Sequence, residues 1–310
     1  MPTRRHFLST AAGAALAPGI LAQPKTGKIY KTALIGSGWW GTNILREAVR
    51  AGRSQVVGVC DVDRAAREKV RDEVVAWAGV KPRVYEDFRE LLEKEKPEVV
   101  IVGSPDHWHA FHMIAAVRAG AHVYVEKPIG HQIREGQAMV KAARETGRVV
   151  QVGTHRRVSP HNIEAMEFLK SGKVGDVGMV RCIIHYGGGE EKPVANEEAP
   201  EGLNWDLWCG PAPLRPFNRK IHPKGFRRFL DYANGTIADW GIHWFDQVLW
   251  WTDELAPTKV FSSGGRDVKG PIVNDGEMMT GDAPDHQAAV FDFENFTCIW
   301  DNREFAGNPH

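Results

Sequence analysis

Acidic and basic residues cancel in this chain, with 39 Lys and Arg against 39 Asp and Glu over 310 residues. Without a basic excess there is no face to neutralise phosphates, so a nucleic acid is not expected as a partner. Cysteine is scarce: Cys60, Cys182, Cys209 and Cys298 stand far apart, and none has metal-ligand spacing. They could form disulfides in an oxidising compartment, but Cys60 falls within an apolar run, which favours buried thiols. Long hydrophobic runs are also missing. The N-terminal apolar stretch to Ala22 is interrupted by Pro18 and Gly19, whereas a bilayer span needs about 20 apolar residues. No later segment approaches that length, so no span is expected once the N-terminus is removed. There is no internal repeat.

The N-terminus itself, Thr3-Arg4-Arg5-His6-Phe7-Leu8 followed by alanine-rich sequence, looks like a twin-arginine export signal. Residues 1–22 are therefore set apart from the fold, and a periplasmic or otherwise exported protein is expected. That route carries folded proteins and lets a nucleotide be inserted first. No free nucleotide pool is expected beyond the inner membrane, so a cofactor there must stay tightly bound and return to its starting state in each cycle.

The remainder, 43% apolar, suits two domains with a core each. The most informative segment is Gly36-Ser37-Gly38-Trp39-Trp40-Gly41. It follows the apolar run Ala33-Leu34-Ile35 and precedes a helical pattern from Thr42 to Ala51. The next apolar run, Val56 to Cys60, ends at Asp61, 20 residues after Gly41. Strand, glycine turn, helix, strand and carboxylate form the order a dinucleotide requires. Gly36 permits the tight turn, Gly38 the approach of a pyrophosphate, and Gly41 the packing of helix on strand. The N–H groups and dipole of the helix face the phosphates. Asp61 can accept both ribose hydroxyls and would repel a 2′-phosphate, which favours NAD; the nearby Arg64 leaves NADP open.

Beyond Asp61, helical patterns at 64–77, 88–94, 108–119 and 133–146 alternate with apolar runs at 99–102, 122–125 and 149–152. Continuous apolar strands between helices predict a doubly wound parallel sheet, an α/β domain over 23–155 with ligands beyond the carboxyl strand ends. From Arg156 the texture becomes α+β: a helix over 162–170, a β-rich run over 177–186, and a mobile loop over 187–225. A helix over 239–251 follows, then strands near 259–262, 286–293 and 296–300. An open sheet with helices on one face is expected over 156–310, incomplete at its C-terminal end because the chain stops directly after a strand pattern.

Each strand end of the first half delivers polar residues: Ser104-Pro105-Asp106-His107-Trp108-His109, Glu126-Lys127-Pro128, and Thr154-His155-Arg156. Lys127 would lie beside the nicotinamide, where NAD⁺ charge and desolvation lower a lysine pKa and allow it to exchange a proton with an alcohol. Asp239 and His243, four apart on a helix, share a face. They either hold and relay a substrate hydroxyl or form a capping aspartate and a satisfied histidine. Trp240, Trp244, Val248 and Trp251 read as the core face of that helix. His107, His109 and His112 lack a completing carboxylate or cysteine, and no metal is expected. Trp205 and Trp208 read as core, or as a sugar-stacking surface if exposed at a cleft.

Together Gly36–Gly41, Asp61, Ser104-Pro105 with His109, Glu126-Lys127-Pro128, and Asp239 with His243 resemble the Gfo/Idh/MocA superfamily. They look most like its exported bacterial branch, which includes redox-neutral NAD-dependent glycosidases. The resemblance implies a Rossmann domain and an open-sheet domain that carries substrate residues and the homo-oligomer interface. It implies that Trp39, Trp40, Ser104, Pro105, His109, Glu126 and Lys127 join the glycines and Asp61 at the cofactor. Lys127 is implied to be the catalytic lysine with a cis bond to Pro128. His155, Arg156, Tyr232, Asp239 and His243 are implied to face a small carbohydrate or cyclitol. Members are longer, so final strands of the second sheet are expected to be missing. Three functions follow as expectations: a sugar or cyclitol oxidoreductase, a glycosidase or lyase using the same first oxidation, and a non-enzymatic sugar sensor with a vestigial nucleotide.

Overall fold

The computed structural model describes residues 27–306; the export-signal reading lies outside them. Six parallel strands, β1 (Tyr30–Ile35), β2 (Ser54–Cys60), β3 (Arg83–Tyr85), β4 (Val99–Val102), β5 (His122–Val125) and β6 (Val150–Val152), lie in the order β3-β2-β1-β4-β5-β6. Their apolar runs are buried on both faces, with Leu34, Val59 and Ile101 under one helical layer and Ala33, Val102 and Val125 under the other. The helices are α1 (Trp39–Arg50), α2 (Arg64–Ala78), α3 (Phe88–Glu95), α4 (His109–Arg118) and α5 (Ile133–Thr146). Local chemistry sets their ends. Asp63 accepts from Ala65 N at 2.9 Å to start α2, and Asp87 from Arg89 N at 2.8 Å to start α3. Gly79 and Gly147 close α2 and α5 in the left-handed conformation, as a C-terminal glycine does.

Strand order reverses between β1 and β4, the switch point at which ligands bind in such sheets. The ladder also runs past the strand ends: Gly36 N donates to Cys60 O, Gly103 N to Ile35 O, and Glu126 N to Val102 O. The polar strand-end residues are therefore fixed by the sheet itself.

The second half opens with α6 (Pro160–Lys170) and continues through β7 (Met179–His185), β8 (Val194–Ala195) and α7 (Trp205–Cys209). A π-helical turn (Ile237–Gly241) leads into α8 (Ile242–Thr252), then β9 (Lys259–Gly265), β10 (Met278–Met279), β11 (His286–Asp292) and β12 (Thr297–Arg303). The main sheet has the order β7-β12-β11-β9, with β7 parallel to β12 and the other pairs antiparallel. One face, with Cys182, Ala289, Cys298 and Trp300, packs on Val248, Trp244 and Phe245 of α8. The other presents Phe261, Ile183 and Met179 outward.

Two expectations change here. Residues 187–225 are not loop throughout: they hold β8, α7 and the Trp205, Trp208 and Phe217 side chains of an aromatic core that Phe226 and Tyr232 complete. The helix expected over 239–251 begins with the π turn, and this turns Trp240 away from the core that Trp244 and Val248 join. As the sequence favours, the four cysteines are buried thiols; the Cys182 and Cys298 sulfurs stand 4.0 Å apart, in hydrogen-bond contact and not disulfide-bonded. Among the described residues no helix is long and apolar enough to cross a membrane.

Trp300 is fully buried between the sheet and α8. Trp300→Ala should cost about 3–5 kcal/mol, read as a lower urea midpoint with the slope unchanged. Burial holds His107 down at about 4 and His112 at about 3. A depressed histidine contributes stability above its unfolded pKa and loses it as pH falls towards the folded value. The urea midpoint should therefore drop between about pH 6.5 and 4, and by less in His112→Leu.

Candidate active site

Helix α1 begins at Gly38 with no side-chain cap and no acidic residue in its first turn. Its first amide groups are thus unneutralised and face a groove of about 600 Å³ lined by Gly36, Gly38, Trp39, Trp40 and Asp61. Gly36 has φ +92°, and a Cβ there would collide with the Ser104 backbone; a Cβ on Gly38 would meet nothing. The turn is therefore tight at Gly36 and open at Gly38, where a pyrophosphate would approach. Asp61 accepts from Ser37 N at 2.6 Å and Asp63 N at 2.9 Å. Burial pushes its carboxyl up to about 6, against those two N–H groups, which pull it down. Arg64 packs against Gly202 and is absent from the groove lining. These features fit an NAD diphosphate and ribose.

Segment 202–226 roofs this groove. Arg64 N donates to Gly202 O, Asn204 N to Val62 O, and Asn204 Nδ2 to Glu86 Oε1 at 2.7 Å. Trp208 O accepts from Trp108 Nε1 and stands 3.0 Å from His107 Nε2. Trp208, Pro223 and Phe226 line the groove opposite Ser104, Pro105 and Trp108.

At the end of β5, the Lys127 amine donates to Asp239 Oδ1 at 2.5 Å and to Asp239 O at 2.8 Å. It is 11% exposed, and the Lys127–Pro128 bond is cis. Arg227 Nε stands 2.9 Å from the same Asp239 oxygen, but its N–H is not aimed there, so the contact is electrostatic. Behind them lies Asp106, 1% exposed, with no hydrogen bond to either oxygen and Arg227 Nη2 3.9 Å away. Burial raises its pKa and Arg227 opposes the rise. Rings connect the two halves: Trp40 meets His155 at 5.6 Å, and His155 meets His243 at 4.8 Å. Burial, then Lys127, His155 and Arg156, hold His243 down at about 4, so it is neutral near pH 7.

Other expected residues lie elsewhere. His109 is buried, with Nδ1 2.6 Å from Pro128 O and Nε2 2.8 Å from Ser104 O. It clamps the β4 and β5 ends together and does not line the groove. Tyr232 is fully buried in the aromatic core, its hydroxyl 3.5 Å from Cys209 Sγ, because the 187–225 segment folds around it; it cannot touch a substrate. Glu126 is buried and accepts from Tyr124 Oη and Lys127 N. Arg156 spreads over Trp244 and donates to Gln247. Sequence reasoning missed Arg227, because its stretch between the 187–225 loop and the 239–251 helix carries no periodic signal, and left Asp106 without a role, although it sits in a strand-end cluster.

Asp61→Ala should weaken NAD binding about ten- to a hundredfold, as loss of a charged hydrogen-bond acceptor does. The ribose contacts need the ionised carboxylate, so calorimetric NAD affinity of the unmutated protein should fall below about pH 6.

The sequence model of the oxidoreductase family's NAD-binding Rossmann fold matches residues 30–154, and that of its C-terminal alpha/beta domain matches 183–269. Inositol 2-dehydrogenase of Salmonella typhimurium is 28% identical over 152 residues, 48% of this chain and 44% of that protein. Glycosyl hydrolase family 109 protein 1 of a Shewanella species is 24% identical over 202 residues, 56% and 44% of the two chains. The chain spans under half the length of these curated relatives. GenD2 from gentamicin A biosynthesis, solved with NAD, superposes with a TM-score of 0.66 at 19% identity, over 91% of this chain and 68% of its own. With both domains matched in order, the chain belongs to the Gfo/Idh/MocA family of NAD-dependent oxidoreductases.

Proposed function

We propose that this protein oxidises a sugar or cyclitol by hydride transfer to NAD, with Lys127 exchanging the hydroxyl proton. The observation that carries this is the Lys127 amine, buried at a strand end on the switch-point side and held by Asp239. When bound, the nicotinamide supplies the hydride acceptor and donor. Lys127 takes the hydroxyl proton as the carbinol carbon loses hydride and gives it back in the reverse direction. Lys127 and Arg227 both meet the Asp239 carboxylate, which stabilises the ammonium as it forms. His243, neutral near pH 7, can accept or donate one hydrogen bond to a second hydroxyl. The relation to an inositol dehydrogenase supports the polyol class.

A second reading is favoured by the roofed groove and by the relation to a glycosyl hydrolase. If the nucleotide is retained, hydride must return within each cycle. Oxidation at C3 acidifies the C2 proton, elimination expels the glycosidic group, water adds, and the ketone is reduced again. Export by the twin-arginine route would make this closed cycle necessary. The outward apolar face of Phe261, Ile183 and Met179 suits a homo-oligomer interface.

Lys127→Met should leave NAD affinity intact and lower turnover by about 10²–10⁴-fold, the share general acid–base catalysis commonly supplies; turnover retained in that variant overturns the mechanism. Denaturing the protein as purified should release bound NAD, read by chromatography. Free sugar released without net change in nicotinamide absorbance would select the second reading.

A further inference from the structure

A second cavity, of about 460 Å³, adjoins the nucleotide groove and shares Arg227 and Lys224 with it. Asp239, the Lys127 partner, is in its wall, and so is Trp240, which the π turn presents half-exposed. This is a volume for a small ligand, walled by the carboxylate that holds the Lys127 amine, with an indole face for a sugar ring.

Its charge does not balance. Glu191, 6% exposed, accepts from Lys220 at 2.6 Å and from Arg266 at 2.8 Å. Desolvation is the largest influence on its carboxyl, but these two cations outweigh it and hold the group down at about 2. That carboxylate is therefore already doubly paired, and Arg228 stands 4.0 Å away with nothing further to neutralise. Glu304 pairs with Lys269, and Asp239 with Lys127 and Arg227. Lys224 has no carboxylate partner among the described residues. The wall thus holds one cation with no carboxylate partner among the described residues, Lys224, and a second, Arg228, whose distant partner Glu191 already meets two closer cations. In addition, the Arg266 side chain is 10% exposed and its Nε is buried without an acceptor. A buried orphan donor is costly unless something meets it.

We propose that this cavity binds the substrate through an anionic substituent, a carboxylate or a phosphate borne by the sugar, set on Arg228 and Lys224 while the ring lies on Trp240. The inference rests on the hydride-transfer reading above and narrows it from sugars in general to acidic sugars. An anion held on Arg228 and Lys224 would orient the ring relative to Asp239 and the amine it holds, so charge fixes which carbinol is presented to Lys127.

The test uses the full chain loaded with NAD. Binding of D-glucuronate, D-glucose 6-phosphate, D-glucose and myo-inositol is followed by tryptophan fluorescence at low and raised salt. At least one anionic sugar should bind about tenfold or more tighter than glucose, a difference of about 1.4 kcal/mol, and weaken with salt. Arg228→Gln and Lys224→Gln should each remove most of that preference, Arg228→Lys should retain it, and NAD affinity measured in parallel should not move with Arg228. Glucuronate and the phosphate, compared side by side, identify the anion. Equal affinity for neutral and anionic sugars, or an anion preference untouched by both substitutions, overturns the proposal. The two readings fail separately. Anion binding that depends on Arg228, without nicotinamide reduction, refutes hydride transfer alone; reduction by neutral sugars only refutes the acidic substrate alone.

Discussion

The contact between Lys127 and Asp239 ties the end of the parallel sheet to the second half of the chain. Lys127 hangs from the end of β5, and Asp239 sits in the π turn before α8. Neither residue has a use without the other half of the chain. Both are largely withdrawn from water, and at such a site a lone charge is far more costly than a pair. Docking of the second half is thereby coupled to an intact charge pair, with Arg227 as its third member. Asp106 lies behind this cluster without a hydrogen bond, so the buried negative charge at this junction depends on Arg227 as well.

That junction is reinforced by contacts that carry no chemistry of their own. His109 bridges the carbonyls of Pro128 and Ser104 and holds the ends of β4 and β5 in one register. The carbonyl of Trp208 meets both His107 and Trp108, anchoring the roof of the nucleotide groove to the 3₁₀ turn that opens α4. The aromatic core behind Trp208 keeps that roof stiff. The nucleotide groove and the second cavity therefore share walls, Lys224 and Arg227 belonging to both.

The glycine turn, the acidic end of β2 and the strand-end clusters were legible because each is a local device. A positive φ needs glycine, a helix start needs free amides, and a parallel strand needs an apolar run. The second half was less legible. Its 187–225 segment is rich in Gly, Glu and Pro, which reads as loop, yet its tryptophans and phenylalanines form a core that only folding assembles. Tyr232 illustrates the cost: it looked like a substrate contact and is sealed inside that core.

The sequence by itself determined the doubly wound sheet, the nucleotide turn and the lysine at a strand end, because these follow from periodicity and backbone sterics within short windows. Only the tertiary structure decided what surrounds that lysine. A π turn cannot be told from an α-helix by spacing, yet it rotates Asp239 and Trp240 into the cavities and away from the core. Arg227, Arg228 and Glu191 come from stretches without periodic signal. Glu191 meets Arg228 within the second half, whereas Arg227 and Asp239 meet Asp106 and Lys127 across the two halves, and electrostatic balance is a property of that meeting.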